Sequence, residues 1–430
     1  MKNRFIIPSL LGIASITALL SFTCINKKPG NDNTAPNAGL KLPEGFSAAV
    51  IAENLSTPRE IVVTPEGDIF IKQNFNARRN PGGKGIVILH DNGMGMATLK
   101  TSFGTFAGSG MYVKKGYLYA SSDENVYRFK LNEKNEAINP EKPELIVSGL
   151  LNRREHEAKA ILLDDNDNLY VNIGAYSNSC QEKDRQKGSM GRKGCPILDS
   201  AGGIWQFKAD KPNQHYGDGI RYATGLRNVV GMDWNKEDNK LFVMQHGRDQ
   251  LHDIFPDMFT EQQSALLPAE CMFEISKGDN AGWPYIYYDQ QQHQKILAPE
   301  YGGDGKKTGG ENAINPVAAY PGHLAPNGLL FYTGNQFPAK YKNGAFIAFH
   351  GSWNRAPEPQ AGYFVVFQPF KNGKPSGEWE IFADGFSGSP EQTASGRAEH
   401  RPCGLAQGPD GSIYVTDDTK GSIYKIAYKK

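Results

Sequence analysis

Five stretches of this sequence place arginine or histidine just ahead of an apolar segment. They are Thr57-Pro-Arg-Glu60, Arg153-Arg-Glu-His156, Leu226-Arg-Asn228, His323-Leu-Ala-Pro-Asn327 and His400-Arg-Pro402. Guanidinium groups bind carboxylate or phosphate oxygens two at a time, and when gathered they repel unless anions balance them. Glu60 and Glu155 could supply that balance within the chain; a bound polyanion explains the pattern more sharply. Imidazole adds a proton acceptor whose ordinary pKa suits work near neutral pH. These residue types suggest recognition of an anionic ligand beside a base.

Such residues can meet only if the elements behind them repeat, and they do. A polar turn followed by an apolar strand with an aromatic near its start occurs at 65–71, 114–120, 165–171, 237–243, 342–348 and 409–415. Most copies follow another apolar strand, as at 60–63, 158–163, 229–234 and 404–406, across turns of hairpin chemistry such as Pro65-Glu-Gly-Asp68 and Pro409-Asp-Gly411. Several run on into a third strand, as at 125–130 and 422–426. Sixfold repetition of short antiparallel strands predicts an all-β chain: a six-bladed β-propeller of four-stranded antiparallel blades. In that fold the first strand of each blade lines a central channel, so the arginines and histidines would converge at one mouth. Blade two, at Gly108-Ser-Gly110, offers neither. The widest spacing predicts a large insertion between blades four and five, around 250–320.

The 47 basic and 46 acidic side chains leave a formal charge of +1, so no global field recruits nucleic acid. With 39% hydrophobic and 22% charged residues the chain can bury a large core. Lys2 and Arg4 precede the apolar run 5–22, and Cys24 then opens a polar stretch. This predicts a lipoprotein-type signal peptide over 1–24, a flexible tether over 25–40 and the propeller over 41–430. The chain is then exported, as a periplasmic or cell-envelope lipoprotein held to the membrane by lipid at Cys24; an uncleaved anchor is the alternative. Export permits disulfides. A Cys180–Cys195 bridge would pin the loop between them, while the pairing of Cys271 and Cys403 stays open.

Several motifs in order along the repeat resemble the glucose/sorbosone dehydrogenase family of soluble quinoproteins. They are Leu42-Pro-Glu-Gly-Phe46, Gly225-Leu-Arg-Asn228 with Gly231, Gly247-Arg-Asp249, Gly282-Trp-Pro284, Ala325-Pro-Asn-Gly328, His350-Gly-Ser-Trp-Asn-Arg355 and Arg401-Pro-Cys-Gly404. The resemblance implies oxidation of a sugar, or of a related alcohol or aldehyde, by hydride transfer to pyrroloquinoline quinone with calcium. It implies His156 as general base and Arg227 and Asn228 against the quinone carbonyls. Arg401, Arg59 and His323 become further cofactor contacts, and calcium would sit on backbone carbonyls at Gly247 and Arg248 with Asp249 nearby. The family's blade-five lysine has no counterpart at 349–355, and Ser109 replaces its blade-two glutamine. The electron acceptor is a partner that the sequence does not identify.

Two other readings use the same fold. One is an exported propeller that binds an anionic ligand without catalysis. The other is a calcium-dependent propeller lactonase or hydrolase, which would need Glu, Asn and Asp side chains around a metal in the tunnel. Trp283 and Trp353 read as packing residues rather than sugar platforms.

Overall fold

A computed structural model describes residues 36–429, apart from 77 and 79–81. The expected signal peptide, the expected lipid site at Cys24 and most of the expected tether lie outside the described residues.

Six antiparallel sheets form the blades. Their inner strands are Pro58–Val63, Met111–Lys114, Ile161–Leu163, Val229–Asn235, Pro326–Phe331 and Pro402–Gln407. Each inner strand touches the next around the ring, and the sixth touches the first. The second strands sit behind them: Asp68–Gln73, Tyr117–Ser121, Asn168–Ile173, Lys240–Gln245, Ala345–Phe349 and Ile413–Asp417. These match the six repeat copies.

The second strands read as unbroken apolar runs because both faces of each blade are covered. Their two-residue period divides them between neighbours. Ile69 and Ile71 pack toward blade six while Phe70 packs toward blade two. Leu241 and Val243 face blade three while Phe242 and Met244 face blade five. Six apolar clusters fill the six gaps between blades in this way.

The ring is closed by the start of the domain. Phe46–Ala52 pairs antiparallel with Ser422–Tyr428 and becomes the outer strand of blade six. Gly45 has φ +84°, and a Cβ there would lie 2.5 Å from the Tyr428 ring. This gives the Leu42-Pro-Glu-Gly-Phe46 motif a structural purpose.

The large insertion differs from expectation in its place. It lies within blade four, as 246–269 between the second and third strands and 276–317 between Glu270–Ile275 and Ala318–Tyr320. It carries its own apolar cluster, including Leu251, Phe259, Tyr287 and Ile296. Pairing of the third strand with both neighbours keeps the insertion from forming a separate domain.

Candidate functional site

His156 heads the inner strand of blade three, on a turn where Arg154 has φ +63° and His156 has φ +50°. Left-handed backbone at non-glycine residues costs energy and tends to mark functional sites. The His156 Nδ1–H donates to the Ala175 carbonyl at 2.5 Å, which leaves Nε2 as the acceptor. Burial, and then the charge of Arg227, push its pKa down to about 3, so the ring is neutral near pH 7.

Arg227 and Asn228 head the inner strand of blade four. The chain turns into it at Gly225, where φ is +71° and a Cβ would meet Asn280 Oδ1 at 2.2 Å. Arg227 is 3% exposed. Its Nε donates to the Asn178 carbonyl (3.1 Å), Nη1 to the Gly247 carbonyl (2.8 Å), and Nη2 to Asn178 Oδ1 (3.1 Å) and Asp249 Oδ2 (2.9 Å). Four of its five N–H groups are thereby bound to described residues. Asn228 Oδ1 is buried with no hydrogen-bond partner.

Asp249 is the hub of the cavity. Besides Arg227 it accepts from both terminal nitrogens of Arg185 at 3.1 Å, and from Asn354 Nδ2 at 2.7 Å, while His323 Nδ1 stands 3.7 Å away. Burial opposes its charge, yet Arg227, His323 and Arg185 hold its carboxyl well below the usual carboxylate range. The same pairing raises His323 above its ordinary value against the effect of burial. Burial pushes Glu270 up to about 7.

These residues surround a cavity of about 350 Å³, the size of a small-molecule site. Its lining brings together His156, Arg227, Asn228, His323, Gly247 and Asp249, all expected from sequence, with Arg154, Arg185, Glu270 and Asn354. The lining is more balanced than an Arg- and His-dominated funnel. Arg154, Arg185 and Arg227 share the lining with Glu155 from the head of blade three, Asp249 from the blade-four insertion and Glu270 from the start of the third strand of blade four. Arg227 pairs with Asp249, whereas Glu155 takes Arg185 at 3.0 Å.

Other expected residues stand elsewhere. Arg59 is paired with Asp418, which also meets His350 Nε2 at 2.9 Å. Arg401 donates to the Gly396 carbonyl at 3.0 Å and stacks on Tyr363. Neither lines the cavity. The Arg248 side chain turns away to Glu300 and the Asp249 carbonyl. Cys180 and Cys195 form the expected disulfide, whereas Cys271 and Cys403 are free and buried. Trp283 is buried and donates to the Asn178 carbonyl, but Trp353 is 70% exposed at the cavity and is not a packing residue.

Part of the oxygen set expected for calcium is engaged by the chain itself. The Gly247 carbonyl accepts from Arg227, and both Asp249 carboxylate oxygens carry arginine or Asn354 donors. Calcium takes six to eight oxygen ligands, backbone carbonyls among them. Among the described residues no group of three or more His, Cys, Asp or Glu side chains could hold a metal ion, so a calcium site here would rest on backbone carbonyls.

The TrAA12-like family model matches residues 40–429. A pyrroloquinoline quinone-dependent pyranose dehydrogenase of Coprinopsis cinerea is 29% identical over 244 residues, 49% of this chain and 31% of that protein. A pyrroloquinoline quinone-dependent sugar dehydrogenase of Hypocrea jecorina is 22% identical over 409 residues, 89% of this chain and 88% of that one. Among solved structures, the holo form of the Coprinopsis cinerea pyranose dehydrogenase PQQ domain superposes with a TM-score of 0.70 at 20% identity, covering 90% of this chain and 97% of that one. A calcium structure of the Trichoderma reesei family AA12 enzyme gives 0.70 at 19% identity, covering 91% and 97%. At such identities the structural likeness speaks for the propeller, and the family model, matched across nearly all of the described chain, for descent: the chain belongs to the TrAA12-like family.

Proposed function

We propose that the cavity takes pyrroloquinoline quinone and that the chain is an oxidoreductase acting on a sugar or sugar-derived alcohol or aldehyde. The observation that carries this is the meeting of three groups in one cavity: neutral His156, the fixed charge of Arg227 and the amide of Asn228, whose buried oxygen has no partner. An amide whose oxygen has no partner can turn its NH2 toward an acceptor, and Arg227 has one N–H to spare. The two therefore suit the carbonyl edge of a quinone. Arg154 at the rim suits one of its carboxylates.

When bound, the quinone supplies a two-electron acceptor for hydride. The chain does the rest. Asn228 and Arg227 orient the acceptor and place positive charge where negative charge develops on oxygen. His156 Nε2 receives the hydroxyl proton of the substrate, its ring held by the Ala175 carbonyl. The similarity to pyranose and sugar dehydrogenases supports a sugar as substrate. Trp353 offers an exposed aromatic face at the cavity. Export as a lipoprotein through Cys24 remains part of this reading, since it supplies oxidising surroundings for the Cys180–Cys195 bridge.

Equilibrium binding of the quinone to the cofactor-free chain, followed by tryptophan fluorescence, tests the cofactor assignment. Dye reduction with a panel of aldoses tests the reaction. Saturable binding with sugar-dependent reduction, both strengthened by calcium, is the expected result. Absence of binding at micromolar quinone rejects the reading.

A further inference from the structure

One loop, residues 174–202 between the second and third strands of blade three, reaches most of the site. Its Ala175 carbonyl fixes the tautomer of His156. Asn178 accepts from Arg227 at both its backbone and side-chain oxygens (3.1 Å each), accepts from the Asp249 amide (2.8 Å) and donates to the Asp249 carbonyl (3.0 Å). Arg185 joins Glu155, at the head of blade three, to Asp249 and Gln250 in the blade-four insertion. The Cys180–Cys195 bridge closes this loop two residues beyond Asn178.

We propose that Asn178 and Arg185 are positioning residues that hold Arg227, the first directly and the second through Asp249, and that the Cys180–Cys195 disulfide keeps both in place. Two of the four hydrogen bonds of the buried guanidinium end on Asn178, so a shift of that residue strips Arg227 of half of its partners. Arg185 meets the same Asp249 oxygen as Arg227 and so fixes the carboxylate that both share. A loop released from its cross-link gains conformational freedom, and these contacts would have to oppose that freedom alone.

Amide hydrogen exchange on the full-length, cofactor-free chain tests this without reference to turnover. In Asn178→Ala, and in a Cys180→Ser, Cys195→Ser double variant, segments 225–229 and 246–250 should exchange roughly tenfold faster, with the second strands of blades one, five and six unchanged. Arg185→Gln should do the same at 246–250, and Arg185→Lys should restore most of the protection. Unchanged exchange at both segments in the double variant would overturn the proposal. So would a uniform rise across all six blades, which would mean general destabilisation. A second arm rests on the function proposed above: the same variants should weaken quinone binding and alter the pH profile of turnover. If the unaltered chain binds no quinone while the exchange results hold, the functional reading fails and the positioning role stands.

Discussion

His156 and Glu270 line the same cavity, and burial moves them in opposite senses. It keeps the histidine uncharged and lifts the carboxyl to about 7. A neutral imidazole with its Nδ1–H committed to the Ala175 carbonyl can act only through Nε2. His156→Ala should therefore lower kcat/KM by about 10²–10⁴ while leaving quinone affinity within a few fold, as steady-state kinetics and equilibrium binding would show. Glu270 yields a pH prediction. Its folded pKa lies above the unfolded value of about 4.3, so its contribution to stability is complete below that pH and is lost as pH rises through about 7. Glu270→Gln keeps an acceptor for one of the Gly247 and Ala325 amides, which Glu270 takes on separate oxygens, and cannot titrate. The stability of the unaltered chain should fall relative to the variant between pH 4.5 and 7, by up to about 1.4 kcal/mol per pH unit. A difference constant across that window in thermal melts would reject the assignment. At this scale His156, Arg227 and Asn228 were legible because each heads an inner strand of a visible repeat. Asn178, Arg185 and Asn354 were not, since they enter from loops whose course no periodicity records.

The turns that end the strands do as much to shape the site as the strands themselves. Gly174 follows the second strand of blade three, and a Cβ added there would lie 2.6 Å from both the Cβ and the carbonyl oxygen of His156. The left-handed turn at Arg154 and His156 leans on that bare backbone. Gly174→Ala should therefore displace the histidine and reduce turnover at least tenfold, with a stability loss of only about 1–3 kcal/mol. Turnover and melting should part company, whereas a structural glycine would lower both together. The blade-four insertion shows the limit of reading elements from spacing. The distance between repeat copies revealed its size but not its attachment, because the third strand, Glu-Cys-Met-Phe-Glu-Ile, carries no turn signature of its own and splits the insertion in two. The six second strands were readable for the converse reason. Burial on both faces leaves an apolar run bounded by hairpin turns, and that pattern survives without an alignment.

A ring of blades has two loose ends, and its stability depends on how they are joined. Here the first strand of the domain completes the last blade, so contacts that close the ring span nearly the whole described chain. Sequence repetition could count the blades but could not show this closure, because a lone strand ahead of the first repeat resembles no copy of it. Phe46 is the pin of the joint. It is buried, and it meets Phe337, Tyr341, Phe382 and Tyr428 edge-on with ring centroids 4.7–5.4 Å apart. Those rings belong to blades five and six, so the one side chain ties the N-terminal strand to two blades at once. Phe46→Ala should cost about 3–5 kcal/mol, as the loss of a buried aromatic does elsewhere. The cost should not stay local. Strand exchange should rise first in Phe46–Ala52 and Ser422–Tyr428, and then in the inner strands of blades one and six, while blades three and four, which frame the cavity, keep their protection longest. Phe46→Leu, which refills much of the space, should recover about half of the loss. Equal loosening of all six blades in Phe46→Ala would instead mean that the ring unfolds as one unit and that the closure is not its weakest joint.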